Sequence, residues 1–337
     1  GISAMESAML KNNAGATYDY SENHIWYSLS NNHPYGFDMD YADDDPDNEG
    51  GNFAMVTAYL TRGSGPVLEK NDVFNPVYTE RDPSVTNSKT IEKYATKLYQ
   101  FPNLSFSATY VATYTELQRQ QQIIDTKNRL MEYGVVLFTS FYSSSSYYYT
   151  GSANNTAYYY PKSGTAAPNH AVSIIGWDDN YSLTNFKPGT RPPGNGAFLI
   201  KNSWGSSWGN QGYFWISYYD KFVANDASCI AEVKNAKYYD NIYQYDQMGV
   251  TTGSWTYNYP SIVGANIFTV KSQNEILKAV GFDTVEENLD YEIWVNKDDN
   301  SLYDSKFIKV AYGPLRYAGH HTIDIQEQVL GGVGAKF

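Results

Sequence analysis

Cysteine is nearly absent from this chain: Cys229 is the one cysteine in 337 residues. A lone cysteine excludes a disulfide framework within the chain. Basic residues are scarce too. The 24 Lys and Arg are outweighed by 36 Asp and Glu, giving a formal net charge of −12. That balance speaks against nucleic acid or an anionic membrane as partner, because neutralising phosphates needs clustered cations. No apolar run reaches the roughly 20 residues of a membrane-spanning helix, so no transmembrane segment is expected.

Aromatic and small polar residues are abundant instead. There are 33 Tyr and 26 Gly, and hydrophobic residues make up 42% of the chain, enough for a folded core. A tyrosine-rich, acidic, cysteine-poor composition suggests a secreted or cell-surface bacterial protein. The length allows two domains.

The first half is mixed. Ile2, Met5 and Met9 recur at helical spacing, and no capping residue precedes them, so the chain is expected to open inside a helix. Ser21 is a candidate cap for a second helix, and Phe53–Leu60 reads as a third. Residues 67–110 read as turns with short extended pieces. Glu116–Glu132 is a helix stopped by Gly134. Residues 135–139 read as a buried strand, and Tyr142–Tyr160 as a low-complexity loop that walls the substrate cleft or stacks on sugar rings, with a plain aromatic-rich surface loop as the alternative. Strands around His170 and Asn202, and a third at 213–219, complete a sheet. From about Val233 short β-branched and aromatic runs alternate with turns: 242–245, 262–270, 276–282, 291–295, 307–310 and 321–325, with Asp298-Asp299-Asn300 as a hairpin tip. That texture predicts an all-β sandwich or jelly roll.

Two stretches carry the chemistry. His170 opens the apolar run Ala171–Ile175, and Asn202 closes the run Ala197–Ile200, followed by Ser203-Trp204-Gly205 and Trp208-Gly209. A histidine and an asparagine at the ends of neighbouring strands, roofed by an indole, form the base and orienting parts of a nucleophile–base–orienter triad. Cys229 follows Asn202 in an apolar, strand-like setting and is expected to be a buried structural residue. His24, His33, His320 and His321 lack a partner motif and read as surface or turn residues. The acidic loop Asp38–Glu49 misses the calcium-loop pattern, since Asn48 stands at the glycine position and no Glu follows at the twelfth, and it reads as solvated. No cofactor or metal is expected.

The motifs Asn169-His170-Ala171 and Lys201-Asn202-Ser203-Trp204-Gly205, with Trp208-Gly209 and Gly212-Tyr213 behind, resemble the papain family of cysteine peptidases. Tyr20-Ser21-Glu22-Asn23 and Glu49-Gly50-Gly51 add to the likeness. The resemblance implies an α+β fold: a papain-like domain with a helical and a sheet lobe over residues 1–232, followed by a β-sandwich at 233–337. It implies His170 and Asn202 as catalytic residues, and Gly50, Gly51, Ala171, Trp204 and Trp208 at the substrate. The nucleophilic cysteine is expected upstream of Gly1, leaving this chain inactive alone. The substrate is expected to be a protein or peptide. The tail resembles the lectin-like domain of clostridial surface peptidases, which implies a cell-wall or glycan ligand, with a packing or spacer role as alternative. An inactive peptide- or glycan-binding protein and a cell-wall peptide amidase are the rival functions.

Overall fold

The computed structural model describes residues 1–30, 33–36, 51–75, 81–102, 115–134, 137–151, 156–249, 261–297 and 306–337. The acidic loop, Gly50, residues 135–136 and the expected hairpin tip at 298–300 lie outside them.

Among the described residues, four helices belong to the first lobe. Helix α1 (Ile2–Asn12) buries Ile2, Met5 and Ala8 on one stripe. Helix α2 (Glu22–Leu29) starts at Ser21, whose hydroxyl accepts from the His24 N–H at 2.9 Å. Helix α3 (Phe53–Thr61) is capped the same way by Asn52, and α4 (Pro83–Asn87) begins on a proline after Asp82. A longer helix, α5 (Glu116–Tyr133), has a reciprocal capping box between Thr115 and Gln118 and ends on Gly134 at φ +58°, as its sequence predicts.

The strands are β1 (Lys93–Pro102), β2 (Leu137–Phe141), β3 (Tyr148–Thr150), β4 (Thr156–Tyr158), β5 (His170–Asp178), β6 (Ala197–Lys201), β7 (Tyr213–Ser217), β8 (Asp226–Asn235), β9 (Ile276–Thr284), β10 (Leu289–Val295), β11 (Ile308–Leu315) and β12 (Ala318–Val329). Ten of them form one sheet in the order β3-β4-β7-β6-β5-β2-β8-β1-β12-β9, and β10 pairs with β11 apart from it. The fold is thus α+β, a helical lobe on a sheet lobe followed by an all-β tail. The main core runs from Met5 and Leu60 through Leu98 and Phe141 to Ile174, Ile200 and Phe214. Burying one such side chain is worth about 1.5–3 kcal/mol. In the tail, Ile293, Val295 and Val310 of the hairpin pack on Ile325.

Several local expectations are corrected. Residues 93–102 are a ten-residue central strand, not turn material: Tyr94, Ala95, Thr96 and Leu98 are buried, and the half-buried Lys93 and Lys97 mask the strand pattern in the sequence. The tyrosine-rich segment holds two short strands, and Tyr158 and Tyr160 are buried in it rather than displayed. Residues 242–245 are not a strand, and within 262–270 Thr269 alone makes a bridge, to Lys336. Three histidines read as surface residues are interior. His24 bonds Tyr59 Oη at 2.8 Å and the Thr86 carbonyl at 3.2 Å. His33 meets Asn87 at 2.9 Å, and His321 meets Thr284 at 3.1 Å. Each is under 6% exposed. Burial is acceptable because each ring nitrogen in contact finds a hydrogen-bond partner.

The tail is built into the sheet lobe. β12 pairs with β1 from Lys97↔His321 to Gln100↔Ala318. Across that seam Tyr99, Phe101 and Tyr133 pack on Tyr317. On the helical side, buried Arg62 donates to the carbonyls of Ser28, Tyr35 and Gln247, tying α2 and α3 to the segment that leads into the tail.

Candidate active site

Strand ends bring the two motifs together. β2 and β5 run antiparallel with Phe141 opposite His170, and β5 and β6 with Ser173 opposite Lys201. The pairing that buries Ile174 and Ile200 on the core face therefore sets His170 and Asn202 at one edge of the lobe. Asn169 fixes where β5 begins: its side-chain carbonyl accepts from the Ser143 N–H at 2.6 Å and its amide donates to the Ser143 carbonyl at 3.1 Å. The turn after Asn202 is closed by the Asn202 N–H donating to the Gly212 carbonyl at 2.9 Å. Gly209 sits in it at φ +58°, where a Cβ would lie 2.6 Å from the Tyr213 carbonyl oxygen. Only glycine fits there.

His170 Nε2 lies 2.9 Å from Asn202 Oδ1. The same oxygen accepts from the Ser203 backbone N–H at 2.9 Å. A backbone N–H can only donate, so the atom facing it and the imidazole is the amide oxygen. Nε2 must then carry the proton, which leaves Nδ1 with its lone pair. Among the described residues Nδ1 makes no hydrogen bond. The ring contacts two aromatic side chains, Trp204 stacked on it at 5.0 Å and 19° and Phe141 tilted against it at 5.6 Å and 57°. Trp208 stands edge-on to Trp204 at 4.8 Å. Burial pulls the His170 pKa below its ordinary value, and the Asn202 bond opposes part of that. Asn202 is 8% exposed, while Trp204 is 42% exposed and forms the outer surface of the pair.

Lys201, next to Asn202, is within electrostatic reach of Gly1, Glu6 and Glu22. Cys229 is elsewhere, in β8 opposite Tyr99. It is 1% exposed, and burial pushes its thiol up to about 12, far from the thiolate that a nucleophile requires.

Of the other residues expected at the substrate, Ala171 is half-buried at the start of β5 and Trp208 is half-buried beside Trp204. Gly51 is exposed just before α3, with open space where a Cβ would stand. Gly50 lies outside the described residues. Sequence reading missed Phe141 as a second aromatic contact of His170 and Asn169 as the clamp. The alternation of β2 could have shown the first. Among the described residues no cluster of three or more His, Cys, Asp or Glu could hold a metal ion, and no helix is long and apolar enough to cross a membrane.

The papain family cysteine protease profile matches residues 2–239, and a lectin like domain profile matches residues 242–337. No curated protein matches. Among solved structures, the clostridial cysteine protease Cwp84, in a cysteine-to-alanine form after propeptide cleavage, superposes with a TM-score of 0.74 at 27% identity, covering 99% of this chain and 76% of that one. A structure of the cysteine protease and lectin-like domains of Cwp84, a surface layer associated protein of Clostridium difficile, gives 0.73 at 26% identity, covering 99% and 67%. The chain is a member of the papain family of cysteine proteases, with a lectin-like domain after its peptidase part.

Proposed function

We propose that the protein is an endopeptidase working by a Cys-His-Asn mechanism, with His170 as the base and acid, Asn202 as its orienting partner, and the nucleophilic thiol on a segment preceding Gly1. One observation carries this reading: the His170–Asn202 bond under Trp204, with Nδ1 left unbonded. Nδ1 takes the thiol proton, giving a thiolate–imidazolium pair. The thiolate attacks the scissile carbonyl and a tetrahedral intermediate forms. Its collapse breaks the C–N bond as Nδ1 delivers the proton to the leaving amine. Water, deprotonated by Nδ1, then hydrolyses the thioester and restores the thiol. Asn202 suffices behind His170 because the imidazolium is already paired with the thiolate. The aromatic planes exclude water and strengthen the bond that orients the ring. The nearness of α1 to Lys201 supports a thiol donated from that side, and Gly51 with Gly50 supplies a backbone edge on which a peptide lies as an added strand. Ala171, Trp204 and Trp208 border the substrate.

Surface or secreted location, a protein substrate, and a glycan or cell-wall ligand for the tail complete the proposal. The surface-layer association stated for Cwp84 supports the location. The division at 232/233 falls inside β8, which is continuous from Asp226 to Asn235.

The test is alkylation of the protein produced with the sequence preceding Gly1. Rapid modification by iodoacetamide below pH 7 is expected. In His170→Ala the midpoint should move up to about 8.5, the ordinary thiol value. An unmoved midpoint rejects the pairing.

A further inference from the structure

Beside Trp204 lies an open cavity of about 440 Å³. Ligand sites usually occupy about 300–1,000 Å³. Of its ten lining residues seven carry a hydroxyl and none carries a charge, in a chain of net charge −12. Ser143, Tyr148, Thr150, Thr156 and Ser207 supply hydroxyls, and Trp204 and Trp208 supply two indoles at right angles. The hydroxyls are held in place: Ser143 Oγ is 3.0 Å from Tyr148 Oη, and Thr150 Oγ1 is 3.0 Å from Thr156 Oγ1. Tyr148 itself packs edge-on against Trp208 at 5.4 Å. One indole thus belongs to two sites, roofing His170 with one part and walling the cavity with another.

We propose that this cavity binds a saccharide carried on the leaving-group side of the substrate, so that the preferred substrate is a glycosylated peptide. The inference rests on the peptidase reading for its position. Trp204 covers His170 and also lines the cavity, so the residue whose amine takes the proton of His170 is the part of the substrate placed nearest to it. Its chemistry stands independently. Neutral hydroxyls both donate and accept, which matches the hydroxyls of a sugar, and indole faces match its C–H surface. A charged side chain there would lose water without gaining a counter-charge.

Two measurements test it. Internally quenched peptides, identical except for the residue after the scissile bond, present serine, O-glycosylated serine, glutamate or lysine to the active protease. The glycosylated peptide should show kcat/KM about tenfold above serine, equivalent to one or two added hydrogen bonds, with glutamate and lysine below serine. Tyr148→Phe and Thr150→Val should each pull the glycosylated-to-plain ratio toward one. In parallel, tryptophan fluorescence is followed while methyl glycosides of glucose, galactose and N-acetylglucosamine are added, and a saturable change is expected. Cleavage with no preference and a flat titration overturns the saccharide proposal and leaves the peptidase reading intact. No cleavage of any peptide overturns the peptidase reading and the leaving-group placement with it. The titration then decides whether the cavity holds sugar.

Discussion

The position of one proton organises the site. The Ser203 N–H and His170 Nε2 both address Asn202 Oδ1, so the imidazole tautomer follows from a backbone donor. Burial lowers the His170 pKa, and the Asn202 bond offsets part of that. Because burial is the main cause, Trp204→Ala should raise the His170 pKa toward about 6.5 by admitting water. An NMR titration of the ring protons reads this, and an unchanged midpoint would show that the indole does not shield the ring. Cys229 gives the opposite case. Its thiol should resist alkylation at pH 8 in the native chain and react fully in denaturant. Native labelling at the rate of a free thiol would contradict its burial. At this scale the sequence was informative where chemistry needs particular residue types: His170, Asn202 and Trp204 stood out by kind and spacing. Asn169 and Phe141 did not, because a clamp and a packing plane have many acceptable chemistries. Nor did the buried histidines, since burial of a polar ring depends on partners such as Tyr59 and Thr284 that lie far away in the chain.

Elements succeed where local signals agree. The caps at Ser21, Asn52 and Thr115 and the stop at Gly134 were each readable or follow known capping chemistry, since they act within four residues. β1 and β4 were misread because their strand character depends on pairing with distant segments, β8 and β12 for β1 and β7 for β4, a fact held in the sheet order rather than in the segment. The turn behind Asn202 depends on glycine. Gly209→Ala should destabilise the protein by about 1–3 kcal/mol, the usual range for a left-handed non-glycine residue, and more if the Tyr213 carbonyl cannot yield. Urea unfolding measures it. A change under a few tenths of a kcal/mol would mean that the turn relaxes freely.

The whole molecule is two family units sharing one sheet. The β1–β12 seam and the Arg62 clamp join tail to peptidase on both lobes. Burial lowers the folded pKa of His24 and of His321 to about 4. A histidine whose folded pKa is depressed contributes stability that is present above its unfolded value of about 6.5 and lost as pH falls toward 4. Asp220 works the other way, its carboxyl pushed up to about 6 by burial, so it favours the fold on acidification. His24 and His321 thus pull Tm down between pH 6.5 and about 4, together with His33 and His170, which burial also lowers, and against the raised carboxyls of Glu6, Glu22 and Asp226. His321→Asn, at the seam, should flatten that drop. An identical slope would remove His321 from the account.

The central claim is that His170 and Asn202 are the base and its orienting partner in peptide hydrolysis. It is met most directly by kcat/KM on one peptide for the protein produced with the sequence preceding Gly1, beside its His170→Ala and Asn202→Ala variants. The account predicts a loss of about a thousandfold or more for His170→Ala and a smaller loss for Asn202→Ala, with both variants folded. Near-native turnover in His170→Ala would contradict it.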